Sequence, residues 1–154
     1  MAYGFITINH NPNNLNYPID IAMNVSEIMS KNVVSVEMDD MLSEVKAIFE
    51  NTRFHHLLVI ENSKLMGIIS DRDLLKAISP NVGTPAASKS DEASLNKRVH
   101  QIMSRNPITL SADATVEDAI EVFNQNQVSC IPIVSREQEA LGILSWRDIL
   151  KSLK

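Results

Sequence analysis

Two short stretches carry side chains whose types and spacing could grip a charged ligand. Ser70, Arg72 and Asp73 stand in GIISDRDLLK (67–76), and Ser145, Arg147 and Asp148 stand in GILSWRDILK (142–151). The stretches lie 75 residues apart and agree at seven of ten positions. In each, an apolar run leads into the serine and a helical pattern follows it, so the serine stands where a strand ends and a helix starts. A helix N-terminus offers free N–H groups and the positive end of its dipole, which suits phosphate. The hydroxyl adds a donor, and an arginine in the first turn adds a planar cation matched to phosphate oxygens. The aspartate would repel phosphate, yet it can accept two hydrogen bonds from a vicinal diol such as that of ribose. The same spacing also has a structural reading. Ser and Asp three apart form a capping box, worth about 1 kcal/mol and needing no ligand. That box leaves the recurring Gly67/Gly142 and Arg72/Arg147 unexplained. Gly67 sits within a strand, where another group can approach closely. Spacing alone leaves both readings open.

Other reactive side chains carry less. His55 and His56 are adjacent in a predicted strand, so they point to opposite faces and make a poor joint metal site. Cys130 aligns with His56 across the repeat. A Cys–His nucleophile is conceivable there, but no third orienting group or oxyanion donor accompanies it, so neither catalysis nor a metal is expected. Trp146 is the only tryptophan, in the first turn of a predicted helix, and is expected to pack or to meet a second subunit rather than stack on a base.

These side chains need elements to hold them, and the chain supplies the same order twice. VSEIMSKN (25–32) recurs as VHQIMSRN (99–106), and at an offset of 74 residues 25–60 match 99–134 at seven of 36 positions. A one-residue insertion near Gln138 moves the offset to 75. VVSV (33–36) and ITL (108–110) read as short strands. Val116, Ala119, Ile120 and Phe123 fall on one helix face, as do Met41, Leu42, Val45, Ile48 and Phe49, with Asp39 and Asp113 ahead as caps or first-turn acids. LLVI (57–60) and IPIV (131–134) read as buried strands, each paired in a hairpin with LMGII (65–69) or ALGIL (140–144). The opening stretches close each unit with a helix. The fold class is therefore α/β (α+β), two β-α-β-β-α units. Asn24 and Glu27 have capping-box spacing for a helix ahead of the first unit. SPNVGTPAASKS (79–90) reads as a linker, and DEASLNKRVHQIM (91–103) is expected to resume as a helix. The predicted layout is an extension over 1–24, units over 25–79 and 99–154, and a linker over 80–98. A unit of this size buries too little surface to stand securely alone, so the two are expected to pack face to face about a pseudo-two-fold axis.

Composition narrows the function. The net charge of -5, with no basic cluster, argues against nucleic acid. The single cysteine cannot form an internal disulfide and fits a reducing compartment. No apolar run approaches the roughly 20 residues that span a bilayer, and the N-terminal residues lack the pattern of a secretory signal. A cytoplasmic location is expected, with no membrane association. The Asn-rich NHNPNNLN (9–16) is expected to be irregular or an arm over a partner.

With the twice-written G-I-x-S-x-R-D, the I-M-S segment ahead of each first strand and the β-α-β-β-α order in place, the chain resembles a pair of cystathionine β-synthase (CBS) domains, a tandem often called a Bateman module. The resemblance covers about residues 25–153. It implies an adenine-nucleotide sensor that binds AMP, ADP, ATP or S-adenosylmethionine in clefts between the units, with no required cofactor. It implies that Ser70 and Ser145 meet phosphate and that Asp73 and Asp148 meet ribose. It places the base among Val33, Val34, His55, His56 and Leu57, and among Pro107, Ile108, Ser129, Cys130 and Ile131. It also implies a disc-like homodimer. The sequence departs between copies at Asp71, beside Arg72, where the second copy has Trp146. The acid should weaken phosphate binding, so the cleft using Ser145 and Asp148 is expected to bind better. The resulting expectation is a stand-alone regulatory module, not an enzyme, acting on a separate protein partner. The alternative is a dimerisation or interaction module with no nucleotide.

Overall fold

Each repeat folds in the predicted order, with its strands and helices trimmed by what they pack against. The computed structural model describes residues 22–153, so the Asn-rich N-terminal stretch lies outside the described residues. A helical turn, α1 (Val25–Ile28), leads into the first repeat: β1 (Ser35–Val36), α2 (Leu42–Asn51), β2 (His56–Glu61), β3 (Lys64–Ser70) and α3 (Asp71–Ala77). A short helix in the connection, α4 (Lys89–Ala93), precedes the second: β4 (Ser104–Arg105), β5 (Leu110–Ser111), α5 (Val116–Gln125), β6 (Cys130–Val134), β7 (Ala140–Ser145) and α6 (Trp146–Lys151). β2 and β3 form the predicted antiparallel hairpin, turning at Asn62 and Ser63 with φ of 47° and 64°, as a tight hairpin turn requires. β6 and β7 pair the same way, and β1 and β5 lie parallel to β2 and β6.

The strand at 33–36 is shorter than expected. Only Ser35 and Val36 pair, although the Leu58 N–H still donates to the Val34 carbonyl at 3.1 Å. The helix starts also differ. Met41, expected on the helix face, is the N-cap residue of α2, and its N–H donates to Glu44 Oε2 at 2.9 Å. Thr115, not Asp113, caps α5, its hydroxyl accepting from the Asp118 N–H at 3.2 Å. The T-x-x-D box lies on the correct turn, and Asp113 instead bonds Ser111, which holds its carboxyl below the usual range.

The two repeats exchange their flanks. Ser30 bridges Ile143 of β7, and Ser104, in the equivalent position, pairs with Ile68 of β3. Asn24 bridges Thr115, and Arg98 bridges Met41 in the same reciprocal sense. The sheets therefore run β1-β2-β3-β4 and β5-β6-β7, with the first sheet borrowing β4 from ahead of the second repeat. The cores follow. Val99 and Met103 are buried among Leu42, Val45, Leu57 and Ile69, whereas Val25 is buried among Val116, Ile131 and Leu144. This reciprocity is the pseudo-two-fold predicted from the repeat, with each unit completed by the segment ahead of the other.

That exchange also breaks the helix predicted over 91–103. α4 runs into a 3₁₀ turn at Ser94–Asn96, the chain extends at Lys97 and Arg98, and a second 3₁₀ turn covers Val99–Gln101. Backbone bonds from Leu42 to the Lys97 carbonyl (2.9 Å), from Val99 to Asp40 (3.0 Å) and from His100 to Met38 (2.9 Å) hold the segment against the first repeat. Tertiary pairing overrides the local helical pattern. Among the described residues no helix is long and apolar enough to cross a membrane.

Candidate functional site

The repeated serine ends the second hairpin strand of each unit and caps the helix that follows. In the first repeat, the Ser70 N–H and hydroxyl both donate to Asp73 Oδ2 at 2.8 Å, and the Asp73 N–H donates back to Ser70 Oγ at 3.1 Å. In the second, the Ser145 N–H and hydroxyl donate to Asp148 Oδ2 at 2.8 and 2.7 Å. The capping box is thus present at both starts. It employs one oxygen of each carboxylate, and Oδ1 takes part in none of these bonds. Both serines and both aspartates are half-buried, while Arg72 and Arg147 are exposed. The Arg147 guanidinium lies over the Trp146 ring, 5.4 Å from its centroid.

The glycines are explained by packing rather than by a ligand. A Cβ on Gly67 would lie 2.7 Å from the Ser104 carbonyl oxygen, and one on Gly142 would lie 2.5 Å from Met29 Sδ and 2.8 Å from the Ser30 carbonyl oxygen. Glycine recurs because the exchanged flank crosses there, as close approach of two backbones demands.

At the start of the first strand of each hairpin the repeats meet. His56 Nε2 and Ser129 Oγ are 2.9 Å apart and share a hydrogen bond across the junction, its direction set by the ring tautomer. Burial pushes the His56 pKa below 6.5, helped by His55 and Arg72 and opposed by Asp71 and Asp73. The helix start of the first repeat and the strand start of the second therefore share one electrostatic neighbourhood. His55 turns the other way, its Nδ1 2.8 Å from Asp71 Oδ2, so the adjacent histidines diverge as their strand register requires. Cys130, aligned with His56 across the repeat, follows Ser129 directly. The strand buries it, and burial raises the thiol to about 12, a poor nucleophile. Among the described residues no group of three His, Cys, Asp or Glu side chains could hold a metal ion.

The remaining residues expected around a base divide. Val33, Val34 and Pro107 are half-buried and Ile108 is exposed. Leu57 and Ile131 are fully buried in the two cores. Two recesses open on the first repeat. One is lined by Ser35, Glu37, Asp40, Ile60 and Asn62 at the far end of the strands, and contains no predicted site residue. The other lies between α2 and α3, lined by Phe49, Phe54, Leu75, His55 and Asp71. The sequence signal for this second recess was Leu74–Leu75. Two adjacent leucines on one helix cannot both face the core, and Leu75 is 71% exposed.

The model of the CBS domain matches residues 25–80 and 99–154. The chain belongs to the CBS domain family. Inosine-5'-monophosphate dehydrogenase of Methanocaldococcus jannaschii is 30% identical over 139 residues, 90% of this chain and 25% of that enzyme. The chain spans 25%, 44% and 38% of the first three curated relatives it matches, all from that organism. The CBS domain pair of protein MJ0100, solved in complex with 5-methylthioadenosine and S-adenosyl-L-methionine, superposes with a TM-score of 0.70 at 25% identity, over 84% of this chain and 94% of that one. CBSX2, solved in complex with AMP, superposes with a TM-score of 0.70 at 20% identity, over 84% of this chain and 94% of that one. The two sheets and their helices are therefore a CBS-pair fold.

Proposed function

We propose that this CBS pair is a regulatory module that binds an adenosine-containing ligand (AMP, ADP, ATP or S-adenosylmethionine) in clefts between its repeats. The observation that carries the reading is the junction itself. His56 bonds Ser129 of the other repeat at 2.9 Å while sharing the charges of Arg72 and Asp73, which supports a ligand site shared between the S-x-R-D helix start and the other repeat. Each box leaves Asp Oδ1 to accept from a ribose diol, and Arg72 lies exposed for phosphate. The adenosine ligands seen with the MJ0100 pair, at 25% identity, support the ligand class. Binding that favours one arrangement of a homodimer shifts its population, and a separate protein reads the shift. The structural alternative, an interaction module with no nucleotide, draws on one fact: the serine hydroxyls are already engaged by the aspartates.

Calorimetry with AMP, ATP and S-adenosylmethionine separates the two. At 100 times its dissociation constant a ligand adds about 2.7 kcal/mol to stability, so a thermal shift accompanies any real binding. Asp73→Asn with Asp148→Asn retains an oxygen for each cap and should abolish the heat. Heat unchanged in the double variant, or no heat from folded, nucleotide-free wild type, refutes the nucleotide reading.

A further inference from the structure

His56 stands between the helix start of the first repeat and the strand start of the second. In the β2–β3 register it lies opposite Ser70, whose hydroxyl bonds Asp73. Its neighbour Leu57 belongs to the first core, so the imidazole takes the other face of the strand. There its Nε2 meets Ser129 Oγ at 2.9 Å. Asp71, Arg72 and Asp73 from α3, and His55 from its own strand, set the charge around it. The second repeat brings the uncharged Ser129, followed by the Cys130 thiol, which burial keeps protonated. Both carboxylates are already engaged, Asp71 by the His55 ring and Asp73 by Ser70. Burial therefore outweighs them and holds His56 mostly neutral at pH 7.

A proton on this ring changes charge without undoing the junction. Imidazolium donates from Nε2, and a serine hydroxyl accepts as readily as it donates, so the bond to Ser129 survives in either state. What changes is the ligand charge the ring tolerates. The adenosine ligands differ at the 5′ carbon of the ribose. AMP carries a phosphate there, S-adenosylmethionine a sulfonium, and 5-methylthioadenosine a neutral thioether. An anion close to the ring favours its charged form, and a cation favours the neutral one.

We propose that His56 makes the site at the Ser70 box select its ligand by proton: imidazolium favours the phosphate of AMP, and the neutral ring favours the sulfonium of S-adenosylmethionine. This rests on the adenosine reading above and adds a pH dependence to it. With the ribose on Asp73, the 5′ group comes beside Arg72 and the ring. The coupling is reciprocal: phosphate draws a proton onto His56, and acid tightens the phosphate. At the aligned position the second repeat carries Cys130, whose thiol is pushed up to about 12 and stays neutral, so it offers no matching response.

Calorimetry of the full chain with AMP, 5-methylthioadenosine and S-adenosylmethionine at pH 8 and pH 6.5 tests it. Both values lie above the second phosphate pKa of about 6, so AMP stays mostly dianionic. Relative to the neutral thioether, AMP affinity should rise on the order of fivefold from pH 8 to pH 6.5, and S-adenosylmethionine should gain nothing. His56→Gln, whose amide can still bond Ser129, should remove the AMP gain. An AMP affinity with no gain, or a gain that persists in His56→Gln, overturns the proposal and leaves the nucleotide reading standing. Absence of heat with AMP at both pH values overturns the proposal, and absence with all three ligands overturns the nucleotide reading as well. Proton NMR gives a second readout. The chain has four histidines, and the His56 ring resonance is the one lost in His56→Gln. Its midpoint lies below 6.5 in the free protein and should rise above 6.5 with AMP bound. A midpoint unmoved by bound AMP also overturns the selection.

Discussion

The two repeats share one device and differ in what surrounds it. Both close their hairpin with a serine whose N–H and hydroxyl bond an aspartate three residues on. Beside that box the first repeat carries Asp71 paired to His55, and the second carries Trp146 stacked under Arg147. Where the first carries the half-buried His56, the second carries, at the aligned position, the buried Cys130, and its Ser129 meets His56 at the junction. The shared part builds the fold, and the divergent part decides what each face and each cleft can meet. A repeat kept by packing can thus drift at the neighbouring position without loss of structure.

The largest effect should come from the shared part. Gly67→Ala and Gly142→Ala each drive a Cβ to within 2.8 Å of a carbonyl oxygen of the exchanged flank. Overpacking of this kind costs typically about 1–3 kcal/mol, or roughly 2–4 °C in melting temperature per kcal/mol for a chain of this size. Gly67→Ala should lose at least as much as Gly142→Ala. The nearest obstacle at Gly67 is a backbone oxygen at 2.7 Å, whereas at Gly142 it is the flexible Met29 thioether. Melting temperatures unchanged in both would break the exchanged-flank account.

The clefts come next. Asp148→Asn is expected to weaken nucleotide binding more than Asp73→Asn, because the first repeat sets Asp71 beside Arg72, the arginine proposed to meet phosphate. The margin should be narrow, since Asp71 is turned towards His55. Titration of each single variant with ATP ranks the clefts, and a greater loss from Asp73→Asn reverses the order.

A smaller contrast separates Cys130 from an ordinary thiol. With its pKa pushed to about 12, it should react with a disulfide reagent at pH 8 on the order of a hundredfold more slowly in the native protein than in urea. Equal rates would mean that β6 opens at this end. The smallest effect belongs to His56. Its folded pKa lies below the unfolded value of 6.5, so between the two the unfolded chain binds more protons. Its contribution is fully present above pH 6.5 and declines as pH falls through the folded pKa. His56→Gln should flatten the melting temperature between pH 7 and 5; a slope identical to wild type would place the titration elsewhere.

Much of this was legible in the residues. The offset of 74 to 75 and the alternating apolar patterns fixed the order of elements, and S-x-x-D fixed the two helix starts. The CBS resemblance was legible because the motif is written twice. What escaped was non-local. Glycine in a strand announced that something comes close, but the crossing flank could be identified only once Ser104 and Ser30 were placed. The 91–103 segment has helical composition, yet Val99 is drawn into the first core and the helix breaks at Lys97. His56 was matched to Cys130 by alignment, whereas the junction offers it the preceding side chain, Ser129.

The crossed flanks bear on how such a sequence can be inherited. A recombination event that moved residues 31–80 alone would leave behind Val99 and Met103, which fill that repeat's core, and would strand the Val25 turn that closes the other. Neither half is a spare part. The smallest piece that can be passed between genes with its interior intact is the interlocked pair, so selection acts on both halves as one heritable block.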